Sequence, residues 1–192
     1  MIEQSVFVDL VDYFGRIDIH GEDALDLLDR LSTNKLESLT EPYSGMGSVL
    51  TTNKGRIIDL LGVNRLPDKI LVTSASESKK KVIEWIDFYT IMEDVSVKDI
   101  SDETCHFRLI GGEWDRLFPK ISELLPRNSM SCEIEGETVI AIKEEMANVQ
   151  CIDVIGPLAA RSKIDDFLTK NFNQINLEEF NQFRLKLGIP VF

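Results

Sequence analysis

Polar and apolar residues alternate along much of this chain, and a period of two residues is typical of half-buried β-strands. The segment Ser44–Arg65 predicts a β-hairpin, with Ser48–Thr51 and Ile57–Val63 as its strands. The turn Asn53-Lys54-Gly55 between them ends in a glycine that tolerates positive φ. Other runs predict strands at Val6–Ile19 (broken near Phe14-Gly15), Lys69–Thr73, Asp94–Ile100, Thr104–Ile110 and Gln150–Ile155, and a hairpin at Ser131–Lys143.

Elsewhere, apolar residues recur at the spacing of an amphipathic helix. The predicted helices are Glu22–Leu31, Val82–Tyr89, Trp114–Leu125, Pro157–Lys170 and Leu177–Leu187. Pro119 falls inside the third of these, and an internal proline predicts a kink or a break there. Gly188 and Pro190 predict the end of the last helix.

One carboxylate interrupts the second strand of the Ser44–Arg65 hairpin. The strand Ile57–Val63 is otherwise apolar, so we expect it to be buried on both faces. A lone acid there must be ion-paired, hydrogen-bonded, protonated or turned towards a cavity. Asp59 is therefore a candidate functional residue, and the structural alternative is an ion pair with Lys54, Arg56 or Arg65, or a solvent-facing position.

A short repeat indicates the fold class. Alternating strands run into a glycine three times, at Ile17–Gly21, Phe107–Gly111 and Ile152–Gly156. Together with the hairpins, the repeat predicts a duplicated α+β unit with antiparallel sheets and helices packed on one face. The sequence contains neither GxGxxG nor a Walker motif, so neither a dinucleotide site nor a P-loop is indicated.

Composition narrows the possible partners. The 192 residues carry a formal net charge of −12, which argues against direct binding of a nucleic acid. No apolar run has the roughly 20 residues that cross a bilayer, and the first residues lack the basic region of a signal peptide. Cys105, Cys132 and Cys151 are widely spaced without a CxxC, so no metal site is expected. We therefore predict a cytoplasmic protein.

Four segments resemble the folate-binding family of the glycine-cleavage T-protein (aminomethyltransferase), and most closely its YgfZ-like branch. They are Gly15–Leu39, Leu50–Arg65, Tyr89–Ile100 and the C-terminal FNQFRLKLGIPVF. The second resembles the family's hairpin with "D-D-L", the third its "Y-x-x-x-x-D-V" and the fourth its "R-I-E-x-G-I-P". The segments cover less than half of the chain, but they occur in the family's order.

The resemblance implies a fold and a ligand. It implies a cup of interleaved antiparallel sheets, formed by two subdomains at about 1–100 and 101–192, around a pocket for tetrahydrofolate or a derivative. The barrel domain that follows in the family is expected to be absent, and so is the branch's "K-G-C-x-x-G-Q-E" motif. The YgfZ-like branch further implies a link to iron–sulfur cluster maintenance and tRNA modification.

The chain departs from the family at the acids. The family's "D-D-L" falls on Asp59-Leu60-Leu61, so Leu60 stands where the more widely shared acid contacts the pterin. Leucine can neither hydrogen-bond a pterin nor transfer a proton. The family's "G-E-D-G-x-E" falls on Ala147–Cys151, which contains no carboxylate. Whether the chain is an enzyme is therefore left open.

Three further residues complete the candidate folate site of Asp59 and Leu60. Arg184 suits the carboxylates of a folate tail, or else it pairs with an acid such as Glu179. Asn34 either contacts the ligand or turns the chain after the first helix, and Tyr89 lines a pocket or belongs to the core.

Two other functions remain open beside folate binding without catalysis. One is a tetrahydrofolate-dependent aminomethyltransferase. The other is a non-catalytic interaction module with an empty pocket, which docks a basic protein partner through its acidic surface or pairs with itself.

Overall fold

A computed structural model of the protein describes residues 5–112 and 114–189. The strands are β1 (Val6–Asp9), β2 (Phe14–His20), β3 (Gly45–Thr51), β4 (Ile57–Arg65), β5 (Ile70–Ala75), β6 (Ser96–Asp99), β7 (Thr104–Ile110), β8 (Ser129–Ile134), β9 (Glu137–Met146), β10 (Val149–Pro157) and β11 (Asn173–Gln174). The helices are α1 (Ala24–Leu31), α2 (Lys79–Tyr89), α3 (Arg161–Asn171) and α4 (Leu177–Lys186). This composition confirms the predicted α+β class.

The chain forms two compact units. The middle unit is Asp12–Ser101, and the flanking unit joins the segment up to Val11 with the segment from Asp102 onward. The middle unit contains a five-stranded sheet in the order β3-β4-β5-β2-β6, and all its strand pairs are antiparallel. The flanking unit contains a six-stranded sheet in the order β11-β1-β7-β10-β9-β8, in which β11 pairs parallel to β1.

Each unit has its own apolar core. In the middle unit, Leu27 of α1 and Ile86 of α2 pack with Leu61 and Val63 of β4. In the flanking unit, a core that includes Phe107 and Val154 continues to Ile164 and Leu168 of α3. Alternate residues of each sheet therefore face that unit's helices, and the intervening residues form a second face.

The helix predicted over Trp114–Leu125 is wrong. The segment forms turns and one 3₁₀ turn, Ile121–Glu123. Trp114, Phe118 and Ile121 are buried in the flanking core, so their spacing reports burial and not a helix. Pro119 has no N–H to donate, and its ring blocks the preceding turn of a helix. Lys120 has a φ of 70°, outside the helical region.

Two other expectations need comment. Strand β4 is not buried throughout, because Ile57 and Leu60 are exposed where Ile58, Asp59 and Leu61 are buried. Pro190, expected after the last helix, lies outside the described residues. Among the described helices, none has both the length and the apolar character needed to cross a membrane.

Candidate functional site

Asp59 and Leu60 project from opposite faces of the middle sheet. Asp59 is paired with Leu50 across β3 and β4, and Leu60 with Val49. Because side chains alternate along a strand, Asp59 shares the helix-covered face with Leu61. Leu60 lies on the other face and is 40% exposed. We call this second surface the Leu60 face.

Both carboxylate oxygens of Asp59 have structural partners. The residue is 2% exposed. Its Oδ1 accepts a hydrogen bond from the backbone N–H of Leu60 at 2.8 Å, and its Oδ2 accepts one from the N–H of Ala75 at 2.8 Å. The hydroxyl of Ser78, the residue before α2, also donates to Oδ2. Asp59 thus ties β4 to the junction between β5 and α2 by hydrogen bonds.

The Leu60 face combines the exposed Leu60 with glycine backbone, the buried Leu71 and buried polar side chains. Strand pairing places Gly45 opposite Asn64, and Gly47 opposite Gly62, so bare backbone lies beside Leu60. Across β5 and β2 the same face carries Arg16 and Asp18. The polar members Arg16, Asp18 and Asn64 are all buried. Glycine backbone and buried polar groups therefore adjoin an exposed leucine on this face.

Asp18 provides a free acceptor on this face. Its Oδ2 forms an ion pair with Nζ of Lys69 at 2.6 Å. Its Oδ1 is buried and has no hydrogen-bond partner among residues 5–112 and 114–189. A buried carboxylate oxygen without a partner carries a desolvation cost that a ligand's N–H would relieve.

Asn34 contacts β3, and Tyr89 does not share the face of Leu60. The side-chain amide of Asn34 donates to the carbonyl of Gly47 at 2.9 Å, and its backbone N–H donates to the Ser48 hydroxyl at 3.1 Å. Asn34 therefore lies beside β3, the strand that pairs with the Leu60-bearing strand β4. Tyr89 ends α2 and packs edge-on against Trp85, on the helix-covered side of the sheet.

Arg184 belongs to the flanking unit and is bound within its own helix end. Its Nε donates to Oδ1 of Asn181 at 2.9 Å, and its Nη1 to the carbonyl of Ile189 at 2.8 Å. Glu179, the expected alternative partner, instead forms a capping box with Asn176 at the start of α4. Arg184 thus binds its own helix end in the structure.

The flanking unit contains a buried charged cluster that was not predicted from the sequence. Arg108 donates to both carboxylate oxygens of Asp153, at 2.5 and 2.7 Å, and Nε2 of His106 lies 3.2 Å from the same carboxylate. Arg127 pairs with Glu144 at 3.2 Å. The sequence contains a signal for this cluster, because Arg108 and Asp153 are charged residues within two of the otherwise apolar repeat strands.

The environment of this cluster shifts several pKa values. Although burial opposes its ionisation, the guanidinium of Arg108 and the imidazole of His106 hold the pKa of Asp153 well below its usual range. Burial raises the pKa of Glu144 to about 7, against the opposing charge of Arg127. Burial also raises the pKa of the Cys151 thiol to about 12, so this thiol is a poor nucleophile at neutral pH.

Each unit has a cavity that opens at its surface. One of about 550 Å³ in the flanking unit is lined by Trp114, Arg116 and Lys143, among others. One of about 280 Å³ in the middle unit is lined by His20 and Lys69, among others. None of the five predicted site residues lines either cavity. The described residues include no group of three or more His, Cys, Asp or Glu placed to hold a metal ion.

Residues 1–133 match the family described as the GCVT N-terminal domain. The chain belongs to this family. It is 33% identical over 120 residues to a putative chloroplastic transferase of Arabidopsis thaliana, covering 61% of this chain and 27% of the relative. It is 33% identical over 102 residues to an aminomethyltransferase of Bacillus pumilus, covering 53% of this chain and 28% of that protein. The match thus spans under a third of either relative.

A solved structure shares the fold. The aminomethyltransferase T of the glycine cleavage system from Bartonella henselae superposes with a TM-score of 0.83 at 13% identity. The superposition covers 98% of this chain and 52% of that one. Together with the family match over residues 1–133 and the similarity to aminomethyltransferases, this fold confirms the resemblance to the T-protein superfamily.

Proposed function

We propose that this protein binds a tetrahydrofolate-type ligand on the Leu60 face and does not itself use an acid there for one-carbon transfer. The observation that carries the proposal is the set of buried polar groups and bare glycine backbone beside an exposed Leu60. Membership of the GCVT N-terminal domain family supports it. So does the similarity to aminomethyltransferases.

The chemistry of the face suits a reduced pterin. A pterin is a flat ring system with several N–H donors on one edge. The unpartnered Oδ1 of Asp18 offers an acceptor for one of these donors. Gly47 and Gly62 place no side chain beside Leu60 on this face. Leu60 contributes only apolar contact, so binding does not require proton transfer.

Calorimetric titration with 5-formyltetrahydrofolate tests the proposal. We expect the wild-type protein to bind and Leu60→Asp to bind about tenfold more tightly, because a carboxylate adds one charge-assisted hydrogen bond to the pterin. Ile57→Asp is the matched control, since Ile57 is an exposed aliphatic residue of the same strand. We expect this variant to bind as the wild type does. Absence of heat from the wild-type protein at millimolar ligand overturns the proposal.

The names of the relatives favour a second candidate, a tetrahydrofolate-dependent aminomethyltransferase. It predicts turnover with an aminomethyl-lipoyl carrier protein. The partners of Asp59 argue against that residue as the acid, because its oxygens already accept from Leu60, Ala75 and Ser78. Turnover by the wild-type protein that is lost in Asp59→Asn, with the fold retained, would favour this candidate.

The resemblance to the YgfZ-like branch suggests a cellular role for the folate-bound protein. We propose that the folate-bound protein supports iron–sulfur cluster maintenance and tRNA modification in the cytoplasm. In a strain lacking the gene, we expect lower activity of iron–sulfur enzymes and less of the tRNA modification that they perform. Rescue by the intact gene and not by a variant shown to have lost 5-formyltetrahydrofolate binding would connect this phenotype to the ligand.

A further inference from the structure

Three large apolar side chains are exposed to solvent in the last turn of α2 and in the residues that follow it. Phe88 is 69% exposed, Ile91 82% and Met92 94%. We call these three residues the α2 tip. Single exposed apolar residues are ordinary, but a contiguous group marks an interaction surface.

The α2 tip is held in place by its own hydrogen bonds. The carboxylate of Glu93 accepts from the backbone N–H groups of Ile91 and Met92, at 2.9 and 3.0 Å. Arg30 of α1 pairs with the same carboxylate at 2.8 Å. These contacts also lower the pKa of Glu93 to about 2. An ordered surface loses little conformational entropy when a partner docks.

Aromatic packing supports the same surface from the helix. Phe88 stacks on Trp85 with ring centroids 6.2 Å apart and planes 18° from parallel. Tyr89 meets both rings edge-on, at 5.0 and 5.1 Å. Aromatic residues in an ordered arrangement are the side chains that dominate binding energy in protein interfaces.

Acidic residues adjoin the α2 tip. Glu84 and Asp87 precede Phe88 on α2 and both are exposed; Nζ of Lys80 lies 3.7 Å from the carboxylate of Glu84. Asp94 follows the Glu93 clamp and is exposed as well. The nearby cation Arg30 is engaged by both Asp26 and Glu93. A partner therefore meets apolar side chains bordered by negative charge.

This charge selects the kind of partner. A second copy of the chain would bring a net charge of −12 and the same acidic border to the contact. Like charges across an interface oppose association, whereas basic side chains steer it. We propose that the α2 tip docks an amphipathic basic segment of another protein, with aliphatic residues on the tip and Lys or Arg over the acids. This inference does not depend on folate binding.

A labelled amphipathic peptide of leucine and lysine is the probe, and fluorescence anisotropy measures its affinity. We expect the double variant Ile91→Ser, Met92→Ser to bind at least about tenfold more weakly than the wild-type protein. Leu125→Ser is the matched control, because Leu125 is 70% exposed in the flanking unit. We expect it to bind like the wild type. Glu84→Gln with Asp87→Asn should weaken binding and reduce its dependence on salt.

Two results overturn the inference. One is equal affinity of the wild-type protein and the Ile91→Ser, Met92→Ser variant, with circular dichroism showing that both are folded. The other is a wild-type dimer in sedimentation that this variant abolishes, because a second copy then occupies the α2 tip.

Discussion

At the scale of single residues, Asp59 and Leu60 are neighbours that differ in how much each contributes to stability. Asp59→Ala would leave the N–H of Ala75 without its acceptor, and we expect it to lower the free energy of unfolding by about 2 kcal/mol. Leu60→Ala removes a side chain that is 40% exposed, so we expect a loss of less than about 1 kcal/mol. Urea unfolding measures both, and a larger loss in Leu60→Ala would contradict the assigned roles.

Glu144 should make stability depend on pH. Its pKa is raised by burial from 4.5 to about 7 in the folded protein, so the folded state binds more protons than the unfolded state between these values. The unfolding free energy of the wild type should therefore be highest below pH 4.5 with respect to this group, and fall as pH rises through 7.

Glu144→Gln keeps the shape of the side chain and removes this titration. Between about pH 5 and about pH 8, its stability relative to the wild type should rise by on the order of 1–3 kcal/mol. Urea midpoints across this range measure the change. Glu145→Gln, at the exposed next position, is the control and should follow the wild type. A flat difference between Glu144→Gln and the wild type would place the carboxyl outside this range.

At the scale of elements, the spacing of apolar residues predicted strands well and helices less well. The Ser44–Arg65 hairpin lies where the alternation placed it, as β3 and β4. Trp114–Leu125 failed because turns can bury apolar residues at a spacing that resembles a helix. The spacing of apolar residues indicates which side chains are buried, but it does not determine the backbone conformation of the segment that carries them.

The burial of a site residue could be predicted from its neighbours in sequence, but its hydrogen-bond partners could not. The burial of Asp59 followed from its apolar neighbours, but Ala75 and Ser78 lie on later elements and no local pattern selects them. Arg108 and Asp153 are 45 residues apart, and only the register of β7 with β10 makes them partners. Such pairs require the sheet topology, which the sequence pattern alone does not supply.

The glycine that ends β2 offers a test at this scale. Gly21 has a φ of +119°, and a Cβ there would lie 1.8 Å from the carbonyl oxygen of Asp94. Backbone cannot move aside as a side chain can, so we expect Gly21→Ala to cost more than about 3 kcal/mol of unfolding free energy. Gly55→Ala is the control, because its Cβ would meet nothing within 4 Å, and it should cost about 1 kcal/mol. Thermal unfolding that ranks the two variants the other way would reject the argument.

At the scale of the whole molecule, the two units repeat one plan. Each has an apolar core under its helices and a buried polar set on the other face of its sheet. In the middle unit this set includes Arg16 and Asp18, and in the flanking unit Arg108 and Asp153. The repeated plan gives each sheet one apolar face under the helices and one face with buried charge.

The excess of acids over bases acts on the chain as a whole. With 33 acidic and 21 basic residues, self-repulsion disfavours the compact state at low ionic strength. Raising NaCl from about 10 mM to about 300 mM shortens the Debye length from about 30 Å to less than 10 Å. We expect the free energy of unfolding in urea to increase by about 1 kcal/mol over this range.

A charge variant separates this repulsion from other effects of salt. Glu133→Lys with Glu145→Lys replaces two exposed acids and lowers the excess of negative charge without entering either core. Its stability at low salt should exceed that of the wild type, and its dependence on NaCl should be smaller. Salt dependence identical in the two proteins would mean that NaCl acts through apolar hydration, which both share, and not through the net charge.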